Sequence, residues 1–316
     1  MKRFSIILAA LCLVLAAAPA MAKSFTISVS QIVEHPALDA VRNGFEKKLK
    51  ELGVEAKLNV HIAQGNPATA VQIASQILGE KPDLILAIAT PTAQSCVQKI
   101  KDIPILFSAV TDPVGAGLVT SMEKPGANVT GMTDMPPVSK QVALFKEIQP
   151  DLKTMGVIYN AGEANSVSQV DAFKAECKKA GIDVIEATVA NSSGVYQAAK
   201  SLVGKCQAVY IPLDNTVVSA LESAVKVCTE SKLPLYPSDT DSVPRGGIAA
   251  LAVSYGLMGE QSAEMAKKIL VDGAKPGDMP VEYLNTLELI VNKKAAAQMG
   301  VTIPESVLKK AEKIIE

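Results

Sequence analysis

The chain has 316 residues, is 48% hydrophobic and 20% charged, and carries a formal net charge of −1 at pH 7. That length and apolar content suffice for a large core and two domains. The near-neutral balance excludes the electrostatic footprint of a nucleic-acid binder or of a protein that docks on an anionic membrane, and the composition carries no collagen-like, repeat or disordered signature.

The first 22 residues stand apart. Lys2 and Arg3 make a basic start, residues 6–18 an apolar run, and Ala20-Met21-Ala22 a small-x-small site, which together read as a secretory signal peptide cut after Ala22. The run is shorter than the roughly 20 residues a spanning helix needs, and Cys12 follows Leu11 rather than a small residue, which argues against a lipid anchor. Loss of two positive charges leaves an exported, periplasmic chain with a net charge of −3. Four cysteines remain, Cys96, Cys177, Cys206 and Cys228; an oxidising compartment permits a Cys177–Cys206 or Cys206–Cys228 bridge, but no spacing is that of a metal or redox motif. His35 and His61 are too few and too scattered for a zinc site. No metal or cofactor is expected.

Residues 25–30 alternate as a strand. After His35-Pro36, Leu38, Val41, Phe45, Leu49 and Leu52 mark one face of a helix over 38–52, closed by Gly53. A strand at 56–61 and a helix at 67–78 follow, then a continuous apolar run at 84–89 of the kind buried on both faces of a parallel sheet. Thr90-Pro91-Thr92 starts another helix, with Thr90 as N-cap and Pro91 where a missing N–H costs nothing. A strand at 105–110 ends in Thr111-Asp112-Pro113. Residues 126–134 break the rhythm, and Asn128-Val129-Thr130-Gly131 reads as a crossing between domains.

The alternation restarts with a helix at 140–148 and a strand at 157–159 that opens into a polar loop. Ser166 with Gln169 three residues on forms a capping box, so the next helix is expected to begin there and run over 167–180. Strand 184–188, helix 195–202, strand 208–212, helix 217–230 and a strand at Leu235-Tyr236 follow. Residues 248–255 read as a strand, 258–271 as a helix, 277–280 as a turn and 287–291 as a last strand before an amphipathic tail. Such alternation is the pattern of βαβ units, so the fold class is α/β, with two Rossmann-like lobes built on parallel sheets.

Ligands of open parallel sheets bind beyond the carboxyl ends of the strands. The first half places Gln31, Thr90, Thr92, Ser108, Thr111 and Asp112 there. The second half places Asn160, Glu163, Asn165, Ser166, Asp214, Asn215, Ser238 and Asp239. Helix first turns offer unpartnered N–H groups to a carboxylate, and Glu163, Asp214 or Asp239 would meet an ammonium. The plainer readings are helix capping for Asp214 and turn chemistry for Asp112 and Asp239. Nucleophile-elbow, Walker, zinc-protease and dinucleotide signatures are missing. The lack of tryptophan favours an amino acid over a sugar; Phe107, Tyr159, Tyr210, Tyr236 and Tyr255 either stack a ring or pack in the core.

Val-Glu-His-Pro-Ala-Leu-Asp (33–39), Ala-Thr-Pro-Thr-Ala-Gln (89–94), Thr-Asp-Pro-Val (111–114), Asn-Val-Thr-Gly (128–131), Tyr-Asn-Ala-Gly-Glu-Ala-Asn-Ser (159–166) and Pro-Leu-Asp-Asn-Thr (212–216) resemble an ABC-transporter substrate-binding protein of the tryptophan/tyrosine uptake type. The likeness covers essentially the whole mature chain, and 159–166 is its most specific part. It implies a type I periplasmic binding fold closing about a multi-stranded hinge, with an N-terminal lobe of 23–132 plus about 254–282 and a C-terminal lobe of 133–253 plus about 283–316. It also implies an aromatic amino acid, or something close, as ligand and an ABC permease as partner; the export signal, the two α/β halves and the polar strand ends lead us to expect a non-catalytic receptor, and a monomer. The competing expectations are a secreted, hydrolase-like α/β enzyme, or a receptor for a sugar, branched-chain amino acid or nucleoside.

Overall fold

Apolar runs without polar alternation are buried on both faces only in the middle of a parallel sheet, and two such runs centre the first lobe. The computed structural model describes residues 24–316; the signal peptide expected at 1–22 lies outside the described residues. The first lobe is laid down as β1 (Phe25–Gln31), α1 (Pro36–Glu51), β2 (Ala56–Ile62), α2 (Pro67–Glu80), β3 (Leu84–Ile88), α3 (Thr90–Lys99), β4 (Ile105–Val110) and β5 (Val129–Thr133). The second follows as α4 (Val138–Ile148), β6 (Thr154–Tyr159), α5 (Ala164–Lys179), β7 (Asp183–Thr188), α6 (Val195–Leu202), β8 (Ala208–Ile211), α7 (Asn215–Val218), α8 (Leu221–Glu230) and β9 (Leu235–Pro237). After β10 (Ala249–Ala252) the chain returns to the first lobe with α9 (Tyr255–Leu270) and β11 (Glu282–Tyr283). It ends in the second lobe with β12 (Glu288–Asn292), α10 (Lys293–Gln298), α11 (Glu305–Leu308) and β13 (Lys313–Ile315).

Strands β11-β5-β4-β3-β1-β2 form a parallel six-stranded sheet and β7-β6-β8-β9 a parallel four-stranded one. A small third sheet, β10-β12-β13, joins β10 and β12 antiparallel. Each large sheet has its own core. Val29, Leu86 and Phe107 fill the first with Met258 and Met265 of α9; Phe145, Phe173, Tyr210 and Tyr236 fill the second with Leu289 and Met299. Burying each such side chain contributes roughly 1.5–3 kcal/mol. The chain crosses between cores three times: between β5 and α4, β10 and α9, and β11 and β12. Helices α1 and α9 touch backbone to backbone, for a Cβ on Gly44 would lie 2.2 Å from the Gly256 carbonyl oxygen and one on Gly259 2.1 Å from that of Val41.

Several boundaries differ from the sequence expectations. Residues 129–133 are a paired strand, so the crossing comes one step later, at residues 134–137. Helix α5 starts at Ala164, which puts Ser166 inside its first turn rather than at the cap. Thr90 is likewise the first helical residue, behind Ala89 at φ 79°. The helix expected over 217–230 breaks at Ser219 into α7 and α8. Strand β10 stops at Ala252, and Tyr255 already opens α9. Among the described residues the four cysteines are unbridged, with Cys96, Cys177 and Cys228 buried. Among the described residues no helix is long and apolar enough to cross a membrane, and no three acidic, His or Cys side chains group as metal ligands.

Candidate functional site

Strand order reverses at β1/β3 in one sheet and at β6/β8 in the other, the positions where open α/β sheets leave a crevice. The two crevices face each other. Between them lies a cavity whose empty space, counted out to its mouth, is about 340 Å³. The first lobe lines it with His35, Ala37, Leu38, Ala109 and Thr111, and the second with Asn165, Leu213, Asp214, Asn215, Val218 and Asp239. Asp134 and Tyr255 come from two of the crossings between lobes. A wider crevice of about 1480 Å³ opens outside it, between Pro67, Val71, Pro91 and Gln94 on one lip and residues 160–163 with Val189 on the other.

The wall is held by local chemistry. Ala109 sits at φ 56° where β4 slips register between Phe107 and Val110, a conformation that costs of order 1–3 kcal/mol and is concentrated at functional sites. Asp214 caps α7 by accepting from Val217 N at 2.7 Å. Its other oxygen takes Asn160 N and Ser166 Oγ, both at 2.6 Å. Glu163 accepts from Thr216 N and Oγ1 at 2.9 and 2.7 Å and from Asn215 Nδ2 at 2.6 Å. Asp239 takes Ser242 N at 2.8 Å and Ser242 Oγ at 2.7 Å. Asp214 and Glu163 are thus internal struts that bind one loop to the next, and Asp239 holds its own turn.

Asp134 differs. Its Oδ2 accepts from Tyr255 OH at 2.8 Å, while its buried Oδ1 has no hydrogen-bond partner. His35 Nδ1 and Asn165 Oδ1, on the same wall, are also buried and unpartnered, which is costly unless something else fills the site. Burial pushes the Asp134 carboxyl up to about 6; the Tyr255 and Thr111 hydroxyls pull the other way. Burial also raises Asp214, helped by the Glu163 charge, and raises Asp239. His35 is lowered to about 4 by burial and by the Arg245 charge, so it is neutral at pH 7. The result is a mostly apolar chamber with acceptors on its wall.

The chain matches the family model of ABC transporter substrate binding proteins over residues 26–315. It belongs to that family. A tyrosine-binding protein of Clostridioides difficile is 42% identical over 275 residues, 86% of this chain and 79% of that one. A Streptococcus pneumoniae ABC domain in complex with L-Trp is 37% identical and superposes with a TM-score of 0.89, covering 93% of this chain and 100% of that one. The ligand-free, open structure of a substrate-binding protein with adhesive properties from Clostridium difficile is 40% identical, yet reaches only 0.69, over 92% and 99% of the two chains. The fold is that of the type I periplasmic binding proteins.

In this substrate-binding protein, Thr111, Asn165, Asp214, Asn215 and Asp239 reach the cavity wall among the residues singled out from sequence. Glu163, Ser166 and Asn160 stand behind it as the loop struts described above. Ser238 lies in a buried network, its Oγ accepting from Gln169 Nε2 at 2.7 Å. The rest are elsewhere. Gln31 is clamped by Asp39 and Arg42, Thr92 donates to Ile88 O within its own helix start, and Ser108 Oγ accepts from Ser262. Thr90 is buried with its hydroxyl unpartnered, off the cavity wall. Asp112 instead joins the lobes, its Oδ2 accepting from Ser168 Oγ at 2.8 Å. Of the aromatics, Tyr210 and Tyr236 stack on Phe173 and Phe145 in the core, and Tyr255 alone lines the cavity. Asp134 escaped the sequence reading because its stretch read as a crossing; it follows a strand, and that position was its signal.

Proposed function

We propose that this protein captures a free aromatic amino acid, tyrosine or tryptophan, between its lobes and delivers it to an ABC permease, as a monomer and without catalysis. The observation that carries the reading is the inter-lobe cavity, whose apolar wall (Leu38, Leu213, Val218, Tyr255) suits a ring and whose acceptors suit an ammonium. The tyrosine-binding relative and the L-Trp complex support the ligand class. Of the residues expected from sequence, Thr111, Asn165, Asp214, Asn215 and Asp239 would meet the ligand and Asn160, Glu163 and Ser166 would brace them, whereas Gln31, Thr90, Thr92, Ser108, Asp112 and Ser238 would not. The lobes divide as residues 23–132 with about 254–282, and 133–253 with about 283–316. Export to the periplasm follows cleavage after Ala22, which the intact mass of secreted protein reports.

The test is a thermal-shift screen of amino acids, sugars and nucleosides. Ligand at ~100 times its dissociation constant adds ~2.7 kcal/mol of stability. Tyrosine or tryptophan is expected to give the largest shift. A shift with a sugar or nucleoside and none with any aromatic amino acid rejects the reading.

A further inference from the structure

Four carboxylates stand at or just behind the cavity: Asp134, Glu163, Asp214 and Asp239. They are not equally available. Both oxygens of Asp214 are occupied, by Val217 N on one side and by Asn160 N and Ser166 Oγ on the other. Both oxygens of Glu163 are occupied by Asn215 and Thr216. Each oxygen of Asp239 takes a donor from Ser242. Asp134 alone presents a buried oxygen with no donor in hydrogen-bond geometry, on the cavity wall near the Thr111 hydroxyl and 5% exposed as a residue. Tyr255 OH holds the opposite oxygen at 2.8 Å and so fixes which way the free one points.

We infer that Asp134 is the counter-ion of the ligand's ammonium group, in place of Glu163, Asp214 or Asp239. An ammonium brings three donors and a positive charge, and satisfies in one contact the open acceptor and the charge of a desolvated carboxylate. The Asn165 Oδ1 acceptor on the same wall is a second partner for its remaining N–H groups. The nearby His35 is neutral at pH 7 and does not compete for Asp134. The inference rests on the amino-acid reading proposed above and assigns its polar end.

The test compares L-tyrosine with 3-(4-hydroxyphenyl)propionate, the same molecule without its ammonium, on wild type and on Asp134→Asn, by calorimetry. Losing one partner of a buried, charge-assisted hydrogen bond weakens binding by about 100-fold or more. Wild type is therefore expected to prefer tyrosine by about that factor, and Asp134→Asn to bring the two ligands within a few-fold of each other. Asp239→Asn is expected to keep the preference. A preference that survives in Asp134→Asn, or that collapses in Asp239→Asn instead, overturns the assignment. Should Asp134→Asn not fold, as read by circular dichroism, Asp134→Thr, which keeps a hydroxyl beside Tyr255, carries the same comparison. Wild type that binds neither tyrosine nor tryptophan sinks the functional reading itself, so the two failures are distinct.

Discussion

Asp134 and His35 face the same cavity and titrate in opposite senses. The folded Asp134 carboxyl sits at about 6 against an ordinary 3.8, so between those values the native state binds more protons than the unfolded chain. Stability from this group therefore falls as pH rises from about 4 to about 6. His35, lowered from 6.5 to about 4, has the reverse sign: the unfolded chain binds more protons there, and stability is lost as pH falls through that window. The first prediction is that ligand-free Asp134→Asn melts above wild type at pH 7, and that differential scanning calorimetry finds the gap closing toward pH 4. The second concerns binding. An ammonium needs the ionised carboxylate, and with a pKa of about 6 its ionised fraction drops about tenfold between pH 7 and pH 5. Tyrosine affinity should drop by about that factor over this interval, and the part due to Asp134 should vanish in Asp134→Asn, where Asp214, Asp239 and His35 still face the ligand. The residue types at this wall were legible in sequence, because hydroxyls, amides and acids at strand ends are readable. Which acid has a free oxygen was not. That depends on partners such as Ser166, 48 residues away from Asp214.

Secondary elements enter the function through their first turns and their contacts. The Ser166-Gln169 spacing fits a capping box, but tertiary partners claim both side chains: Ser166 donates to Asp214, and Gln169 reaches Tyr210, Ser238 and Leu213 N. Helix α5 therefore begins two residues before Ser166. Local pattern located the helix, and long-range bonds set where it starts. Asp214→Ala removes the cap of α7 and strands the Asn160 N–H and the Ser166 hydroxyl. A cap is worth ~1 kcal/mol and each of the two orphaned buried groups about 1–3 kcal/mol, so a loss of about 3–7 kcal/mol is expected in urea denaturation. Contact between α1 and α9 makes a further prediction. Gly259→Ala would press a methyl into the Val41 carbonyl, at a cost of about 1–3 kcal/mol, and would shift the helix that begins with Tyr255. Both melting temperature and tyrosine affinity should drop, because Tyr255 orients Asp134.

At the scale of the whole molecule, strand–helix alternation made the two-lobed fold readable, while the third sheet was not, since β10-β12-β13 assembles segments far apart in the chain. The lobes are drawn together over the cavity, with Ser168 of one bonded to Asp112 of the other. The superposition agrees: 0.89 on the L-Trp complex against 0.69 on the open, ligand-free relative, despite higher identity to the latter. A side-chain hydrogen bond contributes about 0.5–1.5 kcal/mol, so Ser168→Ala should favour the open form and weaken tyrosine binding by a few-fold to about tenfold. Small-angle scattering should show the radius of gyration shrinking on ligand addition in wild type, and needing more ligand in the variant.

The unbridged cysteines bear on how such closure could be watched. Burial pushes Cys96, Cys177 and Cys228 up to about 12, which leaves them unreactive toward maleimide at neutral pH, whereas Cys206 is half-buried. Replacing Cys206 alone would clear the background for a dye tethered to an engineered thiol at Val189, on the lip of the outer crevice. The chain would then become an optical sensor for its own cargo, with no oxidant or isomerase needed to refold it.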